Sequence, residues 1–258
     1  MQTNNKNIII FTLVIIVAVV ALVFISKDKD SSKKTDQFTV SQISTSTEVK
    51  IDSTQNKTNV VTVATPNLDR LIISESVQGS LREQITAQLK EVSGSLKSNT
   101  DAFDSWILLG SYRKIAGDYE GARDAWEYSS AIRPLNHISF SNLGDLYHYY
   151  LRDYPLAEKN LLISIKNKPE NIAGYRDLYN LYIQSYKEKI NEAPKILLSG
   201  LSKNPNNLDL LVLLAKHYAG AGDKVNAVKY YELAITESQK EENTSLRQSL
   251  ESELSFLK

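Results

Sequence analysis

The chain has 258 residues and holds few groups that could do chemistry beyond its 30 carboxylates: three histidines, His137, His148 and His217, and no cysteine. One His–carboxylate pair stands at helical spacing, Asp145 with His148. An i,i+3 pair on a helix is ordinarily a solvated or groove-lining contact. His217 stands beside Tyr218 and His137 falls in a turn signal, so both read as surface or packing residues. There is no HExxH motif and no glycine-rich phosphate loop after a strand. The lack of Cys removes thiol catalysis, disulfides and Cys-ligated metal. A glycan-acting hydrolase would need two carboxylates facing one cleft, and no such pair is identifiable. The formal net charge is zero and the pI is about 6.9. A nucleic-acid binder ordinarily carries a basic stripe, and none is visible. The expectation is a non-catalytic protein with no cofactor, no metal and no nucleic-acid partner.

The remaining signal is structural. Small residues (Gly110, Ala116, Gly117, Gly121, Ala122, Ala125) punctuate residues 109–126, which otherwise read as two helices. Glycine costs about 1 kcal/mol against alanine inside a helix, so close helix–helix packing must offset that cost. From Phe103 the residues Trp106, Leu109, Gly110, Ala122, Trp126 and Pro134 hold positions 4, 7, 8, 20, 24 and 32 of a unit. Three more units keep this register. Residues 137–171 carry Phe140, Leu143, Gly144, Tyr147, Ala157, Leu161 and Pro169, with one extra residue expected in the turn near Asp153–Pro155. Residues 172–207 carry Tyr175, Leu178, Tyr182, Ala193, Leu197, Gly200 and Pro205, with two extra residues before Ala193. Residues 208–241 carry Leu211, Leu214, Ala215, Tyr218, Ala227, Tyr231 and Ala234.

This pattern resembles the tetratricopeptide repeat, a 34-residue helix–turn–helix, over residues 103–241. The resemblance implies an all-α, right-handed solenoid of about ten helices, each unit covering the apolar face of the next. The packing positions are Trp106, Leu109, Gly110, Ala122, Trp126, Gly144, Ala157, Ala193, Ala215 and Ala227. Two departures stand out: Tyr179 at position 8 of the third unit, which should open that helix pair, and Arg113 at position 11 of the first, where Tyr is usual. The family places helix A residues on a concave groove. Here these are Ser111, Lys114, Ser141, Asn142, Asp145, His148, Tyr149, Arg176, Asp177, Asn180, Gln184 and Lys216, with Asp209 beside them. Only Asn142 matches the carboxylate clamp that some family members use for chaperone tails. Tyr175, Tyr179, Tyr182 and Tyr186 read as core packing, the alternative being that some of their hydroxyls reach the groove, whereas Tyr149, Tyr150 and Tyr154 cannot all point inward.

Outside the repeats, residues 66–102 read as an N-terminal cap whose helix carries Leu81, Ile85, Leu89, Val92 and Leu96, with 66–74 packing on it. Residues 242–258 read as a C-terminal capping helix. Residues 8–25 are apolar but for Thr12. As a helix they would span about 27 Å, close to the hydrocarbon thickness of a bilayer. Residues 1–26 are therefore expected to be a tail and single transmembrane helix. A cleaved signal peptide would have a shorter apolar run and a small-residue cleavage site. Residues 27–65, about a third Ser and Thr, read as a flexible tether. Lysines after the span favour a cytoplasmic solenoid, but long C-terminal domains translocate regardless of flanking charge. Short N-terminal tails of bacterial anchors also stay inside. The expectation leans to the extracytoplasmic side. The resulting role is a membrane-anchored interaction module for a protein or peptide. The alternative is a structural subunit of an envelope or secretion assembly that packs through its convex face or caps.

Overall fold

The structure, a computed structural model, describes residues 63–258. The apolar run 8–25 and the Ser/Thr-rich stretch as far as residue 62 lie outside the described residues. No helix among the described residues is long and apolar enough to cross a membrane.

The described chain holds ten α-helices: α1 Gly79–Ser98, α2 Phe103–Ala116, α3 Tyr119–Ile132, α4 His137–Leu146, α5 Tyr154–Asn167, α6 Ile172–Gln184, α7 Ala193–Lys203, α8 Leu208–Gly220, α9 Lys224–Lys240 and α10 Thr244–Ser255. Every helix makes its main contacts with the one before and the one after it. That nearest-neighbour pattern is what stacked helix pairs produce. The pairs α2–α3, α4–α5, α6–α7 and α8–α9 are the units, and α1 and α10 cover the two ends.

The helix starts are written in short polar residues. Asp118, Asp153 and Asp223 accept from the amides of Gly121, Leu156 and Asn226 at 3.0, 3.0 and 3.1 Å, so each B helix begins at an aspartate, except α7. Asn136, Asn171 and Asn207 cap α4, α6 and α8 in the same way. Each such cap is worth about 1 kcal/mol. Pro134, Pro169 and Pro205 come one residue after the C-caps of α3, α5 and α7. Proline cannot continue a helix, and each is followed two residues later by the asparagine that opens the next one. Gly117 leaves α2 at φ 81°, the left-handed conformation that glycine adopts without a Cβ clash.

All ten packing positions are buried. Trp106, Leu109, Ala122, Ala157, Ala193, Ala215 and Ala227 have no exposed surface. A Cβ on Gly110 would overlap the Trp126 indole, and one on Gly144 would come within 2.6 Å of Leu161. The Trp126 indole in turn donates to the Ile107 carbonyl at 3.1 Å and Trp106 to that of Thr100 at 2.8 Å. Tyr179 fills the corresponding place in the third unit, and α6–α7 makes the least contact of the four pairs.

The insertion in the second unit lies elsewhere than the sequence suggested. The turn at Asp153–Pro155 has no extra residue. A π-helix at Tyr147–Leu151 continues α4 instead, closing on Arg152 in the left-handed conformation at φ 56°. A π turn absorbs one extra residue without ending the helix, so the register of α5 is unchanged. In the third unit a 3₁₀ helix, Lys187–Glu192, occupies the place of the two extra residues.

Residues 66–74 dock on more than the cap. Leu68 and Ile73 join the cluster of Ile85, Leu89 and Trp106. Arg70 forms a two-pronged pair with Asp118 at 2.6 and 2.7 Å. Arg113, almost fully buried, donates to the carbonyls of Asn67 at 2.6 Å and Gly121 at 3.1 Å. The departure from Tyr at this position therefore fastens the chain to the α2–α3 turn.

Chemical denaturation of two glycine variants tests the packing account. Gly110→Ala should lose roughly 1–3 kcal/mol, since overpacking at Trp126 outweighs the helix-propensity gain. Gly94→Ala, in α1 with nothing within 4 Å of the added Cβ, should gain roughly 0.5–1 kcal/mol.

Candidate partner-binding surface

The groove candidates sit on the A helices, and the structure joins some of them and leaves others apart. Lys114 on α2 pairs with Asp145 on α4 at 2.9 Å, across the joint between the first two units. Its ammonium lies 5.5 Å from the centre of the Tyr150 ring and 5.9 Å from that of Trp126. Both partners of the ion pair are partly solvated, so it contributes at most about 1 kcal/mol. Tyr150 also meets Tyr119 with ring centres 4.7 Å apart.

The π-helix places the next group. His148 is buried, and its Nε2 lies 3.0 Å from the Ser185 hydroxyl. Its ring stacks on Tyr149 at 3.8 Å. Burial lowers the His148 pKa, with Asp145 opposing, so the imidazole favours its neutral form. Tyr149 is 50% exposed. Burial of the remainder, together with Asp177 and Asp145, pushes its hydroxyl up. Asp177 on α6 is half-buried. Burial raises its pKa, Arg176 lowers it and Asp145 raises it. Asp145, Tyr149, Arg176 and Asp177 are thus electrostatic neighbours spanning the second and third units.

Ser111 spends its hydroxyl on the Ile107 carbonyl of its own helix at 2.9 Å. Ser141, Asn142 and Asn180 are half-buried; Gln184 and Asp209 are exposed. Lys216 is drawn to Glu253 on α10 at 3.3 Å, towards the C-terminal cap. Tyr175, Tyr179 and Tyr182 are core residues, while Tyr149 and Tyr150 are the exposed members of their group. Sequence reasoning passed over Tyr119 and Ser185 and left open which of Tyr149, Tyr150 and Tyr154 is exposed. Tyr150 and Ser185 are placed by the π-helix and the third unit's irregular turn, which a 3.6-residue period does not describe.

Ser185, His148 and Asp145 have the residue types of a hydrolytic triad but not its geometry. Such a triad needs a carboxylate accepting from the second ring nitrogen. Asp145 instead accepts from Lys114, and burial lowers rather than raises the basicity of His148. Among the described residues there is also no group of three or more His, Cys, Asp or Glu that could hold a metal ion.

No family model matches the chain. No relative is found among curated proteins. Solved structures do match. MamA superposes with a TM-score of 0.50 at 17% identity, over 59% of this chain and 87% of that one. The fold is a tetratricopeptide-repeat solenoid. PilF of Pseudomonas aeruginosa gives 0.49 at 19% identity, over 69% and 86%. YrrB, described as a TPR protein with an unusual peptide-binding site, gives 0.45 at 12%, over 65% and 92%.

The raised pKa of Asp177 fixes a sign. An ionised carboxylate that is costlier in the folded chain than in the unfolded one lowers stability at neutral pH. That cost vanishes once the pH falls below the ordinary carboxylate pKa. Asp177→Asn should therefore raise the melting midpoint at pH 7, and the advantage should close as the pH drops through the carboxylate range, read by thermal unfolding at stepped pH.

Proposed function

We propose that the chain is a non-catalytic interaction scaffold that binds a protein or peptide on the surface around Asp145, Tyr149 and Asp177. One observation carries this reading: Asp177 is half-buried beside the half-exposed Tyr149, and burial pushes its carboxyl pKa up. Perturbed carboxylates of this kind cluster at functional sites. The surrounding chemistry suits an extended peptide. Tyr149 offers a ring and a hydroxyl, the types enriched at interface hot spots. Asp145, Asp177 and Arg176 offer charged acceptors and a donor, and Asn142, Asn180 and Gln184 offer amides that can pair with a peptide backbone.

In the same proposal, residues 8–25 anchor the scaffold in a membrane and residues 27–65 tether it. At about 5–6 Å × √n, that tether has a reach of roughly 35 Å. The solenoid lies on the extracytoplasmic side. Support for the anchor is the length and apolarity of the run.

The binding reading is tested by affinity capture with the full chain from solubilised membranes. Partners retained by wild type should be lost by Tyr149→Ala and by Asp145→Ala, with losses of roughly tenfold or more for a hot-spot ring. Equal capture by both variants would favour packing through the convex face or caps. The location is tested separately. Ser202 is exposed in the last turn of α7, and Ser202→Cys would be the chain's one thiol. Labelling of intact cells by a membrane-impermeant maleimide is expected; labelling only after lysis would place the solenoid in the cytoplasm.

A further inference from the structure

Helix α9 buries Ala227, Tyr230, Tyr231 and Ala234 against its neighbours. Its opposite side is open. Val225 is 82% exposed and Leu233 42% exposed. With Val228, Lys229, Glu232 and Thr236 they line one shallow hollow. Their spacing, i, i+3, i+4, i+7, i+8 and i+11, makes a single stripe along the helix.

The stripe has a symmetry of its own. The intervals between its residues run 3, 1, 3, 1, 3 and are the same read in either direction about a point between Tyr230 and Tyr231. We propose that the occupant is a second copy of this chain, docked α9 to α9 and antiparallel about a two-fold axis through that point. This arrangement sets Lys229 opposite Glu232 of the second copy and Val228 opposite Leu233 of the second copy. Val225 then meets Thr236 of the second copy, and every contact occurs twice, as an isologous interface requires. A parallel arrangement in register would bring Lys229 to Lys229 and Glu232 to Glu232, so charge selects the antiparallel one.

The groups that must be recruited are loosely held. Glu232 pairs with Lys258 at 3.0 Å, both more than half exposed, and Lys229 lies 5.1 Å over the Tyr230 ring. Exposed contacts of this kind are worth little and exchange readily. One helical stripe covers less than the roughly 1,200–2,000 Å² of a stable interface, so the association is weak and sensitive to salt.

Sedimentation equilibrium of the full chain in detergent micelles, over a range of protein concentration, tests this. Each of Lys229→Glu and Glu232→Lys places two like-charge contacts in the dimer and should weaken association at least about tenfold. An equimolar mixture of the two variants should regain it, and so should the double variant K229E/E232K. Both positions are exposed, and circular dichroism checks that each variant is folded. Three outcomes overturn the proposal. Wild type could stay monomeric at every concentration, which would leave the stripe to a different protein. Association could be unchanged by both reversals. The double variant could fail to recover it.

Discussion

The solenoid depends on how closely two helices of one unit can approach. At Gly110 and Gly144 the absence of a Cβ lets Trp126 and Leu161 lie directly against the backbone of the facing helix. Every later feature inherits that distance. The indole of Trp126 reaches the Ile107 carbonyl only because the axes are close. The small residue seven positions after each B-helix alanine (Ser129, Ser164, Gly200, Ala234) then lets the next unit approach in turn. Ser129 meets the Ser139 hydroxyl at 2.7 Å, and a Cβ on Gly200 would come within 3.0 Å of both Leu210 and Tyr175. Glycine's cost in helix propensity is offset by contacts that only glycine permits.

At the first two joints between units a tyrosine adds a hydrogen bond to the contacts these small residues allow. The Tyr147 hydroxyl donates to Glu127 at 2.9 Å and that of Tyr182 to Glu158 at 2.5 Å, each from one unit's A helix to the previous unit's B helix. A hydrogen bond to a charged acceptor contributes about 1.5–3 kcal/mol. Tyr218, at the same position in the fourth unit, stacks on Tyr230 with ring centres 5.6 Å apart. The first unit has no repeat before it. There the position is Arg113, whose reach extends to the Asn67 carbonyl. The neighbouring Tyr112 bonds Gln88 of α1 at 2.8 Å, so the bond to the preceding helix survives one residue away. A repeat at the end of an array must satisfy a face that inner repeats cover with copies of themselves, and the arginine does so by tying down an extended segment.

These regularities explain what could be read in advance. Gly110, Ala122 and the three prolines mark the helix pairs because each acts through local backbone chemistry or one repeated contact. The asparagines two residues after Pro134, Pro169 and Pro205, which cap the next helices, carry an equally local signal that the sequence reading did not use. The π-helix was not legible. A one-residue insertion fits a turn or a helix equally well on sequence spacing, and only the fit of Tyr147 against Glu127 and of His148 against Ser185 decides between them. The groove candidates divide in the same way. Asp145 and Tyr149 follow from repeat position. The diversion of Lys216 to Glu253 depends on a capping helix outside the repeat.

The same insertion shapes the candidate surface. Along the π-helix Tyr149 and Tyr150 are exposed, at 50% and 41%, while His148 goes inward. Tyr150 then receives the Lys114 ammonium over its ring, and Tyr149 is left beside the two carboxylates. Arg152, a non-glycine residue in the left-handed conformation, closes the turn at a cost of about 1–2 kcal/mol. A strained cap and an exposed aromatic pair thus share one irregular turn, and Tyr149 of that pair is an electrostatic neighbour of the half-buried Asp177 on α6. Under the binding role proposed above, the extra residue is kept for the exposed tyrosines it presents.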